Sequence, residues 1–273
     1  MNRLSTDLQA TVIGSLVEGM SIRSVERMTG VHRDTIMRLM VRVGEACDGY
    51  LNATMHGLSC KRLELDEVWC FVGKKQRHVT LEDNLAQVGD FWTWVAIDAE
   101  TKLVPSFRVG KRDSANAQAF VRDLADRLTN RVQLSSDGLR FYVEAVEAGF
   151  GGEVDYAQIV KSYEAEPIGA GRYSPPKVVS VDKSLIVGNP DLTMTSTSYV
   201  ERQNLTIRMS MRRFTRLTNG FSKKADNLKS AVALHFGWYN LVRPHMTLKT
   251  TPAVAAGVAD HRWSIHELVS LAN

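Results

Sequence analysis

Through the first 47 positions, apolar residues recur at helical spacing. Val12, Ile13, Leu16 and Val17 form one stripe, and Ile22, Val25 and Met28 form a second within Ser21–Thr29. Gly30 then supplies a tight stop. Ile36, Leu39, Met40 and Val43 follow at i, i+3, i+4 and i+7, which predicts a third helix from about Arg33 to Cys47. Its opposite face carries Thr35, Arg38 and Arg42. Two short helices around a glycine, the second presenting arginines, predict a helix-turn-helix DNA-binding domain over residues 1–47. Plain three-helix packing gives the same pattern. Gly49, Asn52, Gly57 and Ser59 mark residues 48–60 as a linker that sets the reader helix outside the core.

From there the pattern changes. Strand-like runs at 62–72, 92–98 and 103–109 predict a meander, with Asp98-Ala99-Glu100-Thr101 turning between the last two. A helix is expected over Ser114–Leu128, with Phe120, Val121, Leu124 and Leu128 on one face. A strand over Arg131–Ser135 ends at Asp137-Gly138. Leu139, Tyr142, Val143 and Val146 mark another helix, and Val154–Val160 a further strand. A meander followed by alternating helix and strand predicts an α/β fold with a mixed sheet over residues 61–215. Residues 164–195 break the alternation. Prolines and glycines surround one apolar piece, KVVSV, and predict a loop-rich insertion with a hairpin. Residues 222–242 are expected to be helical, within a basic helical C-terminal region over 216–273.

Charge sharpens this picture. The net charge of +4 hides an excess of +9 between Arg202 and Lys249 against −5 elsewhere. A basic block of nearly fifty residues suggests a polyanion partner, the alternative being a solvated face. No run of 18 apolar residues is present and the N-terminus lacks an apolar signal core, so a cytoplasmic protein with no membrane span is expected. Cys47, Cys60 and Cys70 have no CxxC spacing and read as free thiols rather than a zinc ribbon.

Three acids stand out. Asp66 lies in LELDEVWCF, Asp137 in VQLSSDG and Glu201 in STSYVERQN. With Glu201 at 0° and about 100° per residue, Arg208 and Arg212 fall within about 20° of it, while Val200, Ile207, Met211 and Phe214 gather about 110° away. A carboxylate with guanidinium groups further along one helix suits phosphoryl transfer on nucleic acid, Arg208 and Arg212 gripping phosphates. Taken singly, each acid also has a local role: turn hydrogen bonds for an aspartate after a strand, the helix dipole for a glutamate in a first turn. Glu67 is expected on the opposite side of the strand from Asp66.

On these residues the chain resembles the DDE transposases of bacterial insertion sequences, closest to the insertion-sequence-one group. The segments that carry the resemblance are DEVWCFVGKKQRH at 66–78, SSDGLRFY at 135–142, YVERQNLTIRMSMRRFTRLTNGFSKK at 199–224 and YNLVRPHMTL at 239–248. The resemblance implies an RNase H-like catalytic core in which Asp66, Asp137 and Glu201 hold Mg²⁺ or Mn²⁺. It further implies DNA cleavage and strand transfer at element ends by a homo-oligomer, with terminal inverted repeats and target DNA as partners. The rival expectation is a non-catalytic helix-turn-helix regulator with a degenerate RNase H-like module. The 63 residues between Asp137 and Glu201 exceed what a compact core needs.

Overall fold

The computed structural model describes residues 4–164, 177–216 and 218–273. Three helices open the chain: α1 (Thr6–Val17), α2 (Ile22–Thr29) and α3 (Arg33–Thr54). The hydroxyls of Ser5 and Ser21 accept from the Leu8 and Ser24 N–H groups and cap the first two. Gly30 takes φ 70° and closes α2 onto the Glu26 carbonyl.

α3 does not stop at Cys47. Cys47 and Leu51 continue its buried stripe, while Gly49 and Asn52 sit on the exposed face. Burial of that stripe outweighs the roughly 1 kcal/mol that glycine costs in a helix. The expected linker over 48–60 is therefore helical to Thr54. Nor does α3 stand outside the core. It lies along α7 (Ala225–Leu241) at very close range, where a Cβ on Gly44 would come within 2.0 Å of the Ser230 carbonyl oxygen. Gly237 on α7 makes the matching approach to Cys47.

The sheet has six strands among the described residues: β1 (Arg62–Val72), β2 (Gly89–Asp98), β3 (Phe107–Gly110), β4 (Val132–Asp137), β5 (Val154–Glu164) and β6 (Lys177–Val187), in the order β3-β2-β1-β4-β5-β6. β1 pairs antiparallel with β2 and parallel with β4, and β5 is parallel to β4, so the sheet is mixed. α4 (Ser114–Asp126) and α5 (Arg140–Phe150) make the crossovers. The expected strand at 103–109 shortens to β3 because the Asn240 side chain takes both backbone groups of Val104, accepting at 3.0 Å and donating at 2.9 Å. KVVSV opens β6, which pairs antiparallel with β5. The rest of the expected insertion falls partly on 165–176, outside the described residues.

α6 (Ser198–Ser210), a 3-10 turn (Arg212–Phe214), α7, α8 (Pro252–Ala255) and α9 (Ile265–Ser270) complete the chain. α7 is a core element and not a basic arm. All its residues from Ser230 to Leu241 are buried, and its one cation is Lys229. The positive charge lies instead on α6, the 3-10 turn and the loops that flank them. α9 returns to α1, where the His266 ring and Asp7 lie 3.0 Å apart. No helix among the described residues is long and apolar enough to cross a membrane.

Candidate active site

β1 occupies the middle of the sheet, so LELDEVWCF presents side chains to two covered faces. Leu63 and Leu65 are buried on one face. Glu64 and Asp66 share the other, because side chains two apart on a strand point the same way. That second face meets α6. The Glu64 carboxylate accepts from the Tyr199 and Val200 N–H groups at 2.7 and 3.0 Å, in the first turn of the helix. One turn further on, the Asn204 amide donates to Asp66 Oδ2 at 2.7 Å. Val200 and Ile207 anchor the same helix in the core. The Glu64 contact at Tyr199 and Val200 and the Asn204 contact one turn later thereby fix where Glu201, which lies between those points on α6, is held. Neither was read from the sequence. The i, i+2 spacing of Glu64 and Asp66 was the signal for the first.

β4 runs parallel to β1 with Leu65 opposite Ser136, which brings Asp137 beside Asp66 at the strand end. Asp137 Oδ1 accepts from the Leu139 N–H at 3.0 Å and shapes the turn into α5. Carboxylate oxygens of Asp66, Glu67 and Asp137 all lie within 4.8 Å of one another. Glu67 does point to the far face of β1, as alternation requires. There Arg112 Nη2 lies 2.6 Å from it and the Tyr142 hydroxyl donates to it at 3.1 Å. It joins the cluster because Asp137, at a strand end, is reached from both faces.

Asp66, Asp137 and Glu201 line one open cavity of about 970 Å³, together with Arg112, Arg140 and Lys161. Glu201 is exposed, accepts from the Thr197 hydroxyl at 2.8 Å and is ion-paired with Lys161 on β5. Burial pushes the Asp66 carboxyl up to about 7, and the negative charges of Asp137 and Glu201 push the same way. Glu67 is likewise raised to about 7 by burial and by Asp137 and Asp66, against the pull of Arg112. The site thus concentrates negative charge that its own residues only partly neutralise.

Arg208 and Arg212, expected to grip phosphate side by side along α6, are separated. The helix ends at Ser210, and Met211 turns to an extended conformation at φ −120° and ψ 107°. Met211 and Phe214 are buried, and seating both in the core breaks the helical register before Arg212. Arg208 is half-buried, with Nη1 enclosed and without a hydrogen-bond partner among the described residues. Arg212 lines a different cavity, beside the N-terminal helices. The cations at the acidic cavity are instead Arg112, Arg140 and Lys161. On α3, Arg38 and Arg42 are exposed and Thr35 is half-buried. Arg42 Nη2 donates to Gln9 Oε1 at 3.0 Å.

No family model matches the chain, and no curated protein matches it. Among solved structures it is similar to the piggyBac transposase in a synaptic complex with hairpin DNA, at 11% identity and a TM-score of 0.47, covering 100% of this chain and 71% of that one. It is also similar to Mos1 in a strand transfer complex, at 16% identity and a TM-score of 0.22, covering 54% of this chain and 55% of that one. A Mos1 mariner paired-end complex with Mn gives 14% identity and a TM-score of 0.20, covering 54% of this chain and 57% of that one. The chain thus spans little more than half the length of the Mos1 chains.

Proposed function

We propose that the chain is a metal-dependent DNA transposase of the DDE type, with an RNase H-like core and a helix-turn-helix that binds element ends. The observation that supports this reading is that Asp66, Asp137 and Glu201, from β1, β4 and α6, line one open cavity, although the tight carboxylate cluster there is Asp66, Glu67 and Asp137 and does not include Glu201.

The residues present fit a divalent ion. Every donor is a carboxylate oxygen, the hard ligand that Mg²⁺ and Mn²⁺ prefer. The oxygens of Asp66, Glu67 and Asp137 cluster within 4.8 Å, and a bound cation would favour the charged form of Asp66, which burial first, and Asp137 and Glu201 second, disfavour. Asp66 and Asp137 would hold the ion, with Glu201 completing the set once it exchanges Lys161 for metal. When bound, such ions activate an attacking oxygen and stabilise the leaving oxygen of a phosphodiester. The chain's own residues do the rest. Arg112, Arg140 and Lys161 draw the phosphate backbone into the cavity and orient it. Glu64 and Asn204 hold α6, and so Glu201, against β1. Thr35, Arg38 and Arg42 on α3 contact DNA at the element ends, at a distance from the acids.

The test is cleavage of labelled duplex that carries the element ends, with Mg²⁺ or Mn²⁺ as the ion. The wild-type chain nicks the DNA at the end and joins the freed 3′-hydroxyl to a target. Asp66→Asn, Asp137→Asn and Glu201→Gln each bind ends normally and cut nothing. End binding by the wild type with no cleavage in either ion would instead favour the regulator.

A further inference from the structure

A second cavity, of about 590 Å³, lies between the N-terminal helices and α7, away from the acids. Arg23, Arg212, Arg213 and Lys223 line it, and no carboxylate among the described residues does. Its walls are apolar and adaptable, built from Met20, Met37, Met40, Phe221 and Leu234.

Two groups there are left short of partners. Among the described residues, the Arg213 guanidinium, sunk beneath α3, hydrogen-bonds to the sulfurs of Met40 and Met37, at 2.9 and 3.8 Å, and to the Ser222 hydroxyl at 3.4 Å. Sulfur is a weak acceptor, and none of these groups carries a negative charge. His235 is 1% exposed, and neither ring nitrogen has a hydrogen-bond partner among the described residues. Burial and the nearby Arg243 hold that ring neutral, pushing it down to about 3, so it keeps one donor and one acceptor unused. A buried ring without partners is uncommon, and here it shares a cavity with a guanidinium that has only weak, uncharged acceptors, which favours an anionic ligand.

We propose that this cavity binds a nucleotide, with the arginines and Lys223 taking the phosphate and the methionine and leucine walls taking the base. Arginine clusters suit phosphate because the guanidinium fork matches its oxygens. The volume suits one nucleotide and not a length of duplex. The choice of a nucleotide among phosphate-bearing ligands rests on the nucleic-acid reading above, whereas the cavity does not depend on the acidic cluster. The nucleotide is either free in solution or one unit of a DNA strand, and the two sources share the same chemistry.

Titration of the full chain with dAMP, inorganic phosphate and a short labelled single-stranded oligonucleotide tests this. Wild type is compared with Arg213→Met, His235→Phe and Lys223→Ala. Lys223 is exposed, so its variant folds even if loss of Arg213 disturbs packing. His235→Phe keeps the net charge, so its effect is not one of general attraction to a polyanion. The expected result is a roughly tenfold or greater loss of nucleotide binding in Arg213→Met, and several-fold losses in the other two. If dAMP shows these losses and binds at least tenfold more tightly than phosphate, a free nucleotide fits the site. If only the oligonucleotide shows them, the ligand is a unit of a strand. Binding of dAMP and oligonucleotide that is indifferent to both His235→Phe and Lys223→Ala would overturn the proposal. So would phosphate binding as tightly as dAMP. Failure of DNA cleavage with intact nucleotide binding would count against the transposase reading alone.

Discussion

Asp66 is where folding and function pull in opposite directions. Its carboxyl is raised to about 7 in the folded chain, against about 3.9 when unfolded. The folded state therefore holds a proton that the unfolded state releases. Stability from this group is complete below about pH 4 and is lost as pH rises through about 7. In chelator, the wild-type melting temperature should fall between pH 5 and pH 8. Asp66→Asn stays neutral, so its fall should be smaller by several degrees, the difference between pH 5 and 7 being worth up to about 3 kcal/mol. A wild-type melting temperature that rises across this range would show that Asp66 is not held protonated. Burial raises Glu64 as well, but its carboxyl accepts two backbone N–H groups that pull the other way. Glu64→Ala leaves the Tyr199 and Val200 N–H groups without their acceptor and should cost about 1–3 kcal/mol in urea denaturation. An unchanged denaturation midpoint would mean that α6 is held by its apolar face alone. Strand alternation made the Asp66 face legible, and it also placed Glu67 on the other side. What alternation does not carry is that a third acid at a strand end reaches both faces. That is a property of the β1–β4 register, which no local pattern contains.

At the scale of elements, what was legible depended on how local the cause was. The α1–α2–α3 spacing, the strand runs and both crossover helices follow from apolar periodicity and turn residues within each segment. The errors arose where a distant element decided. α3 runs on to Thr54 because α7 covers its far end, β3 is short because Asn240 takes the Val104 backbone, and α6 stops at Ser210 where Met211 and Phe214 enter the core. The helical wheel that joined Arg208 to Arg212 assumed a helix that the packing does not continue. The contact of α3 with α7 makes a direct prediction. A methyl group at Gly44 meets the Ser230 backbone, which cannot rotate away as a side chain does. Gly44→Ala should destabilise by about 1–3 kcal/mol despite alanine's better helix propensity, read from the shift in denaturation midpoint. A stabilising effect would show that the two helices have room to part.

The whole molecule behaves, on this account, as one cooperative body. α3 is packed on α7, α1 meets α9, and Arg127 ties α4's end to Asn52 on α3 at 2.6 Å. Unfolding followed by tryptophan fluorescence and by circular dichroism should give coincident curves. An early separate transition of the N-terminal helices would contradict this rigid coupling. The consequence for function is that the proposed reader helix and the acidic cavity are held at a fixed separation on one scaffold. The central claim is that the acids on that scaffold form one divalent-metal site, and calorimetric titration with Mn²⁺ tests it most directly. Saturable binding to the wild type is expected, weakened at least about tenfold in Asp66→Asn and in Asp137→Asn and unchanged in Arg38→Ala. Equal Mn²⁺ affinity in the wild type and both aspartate variants would contradict it.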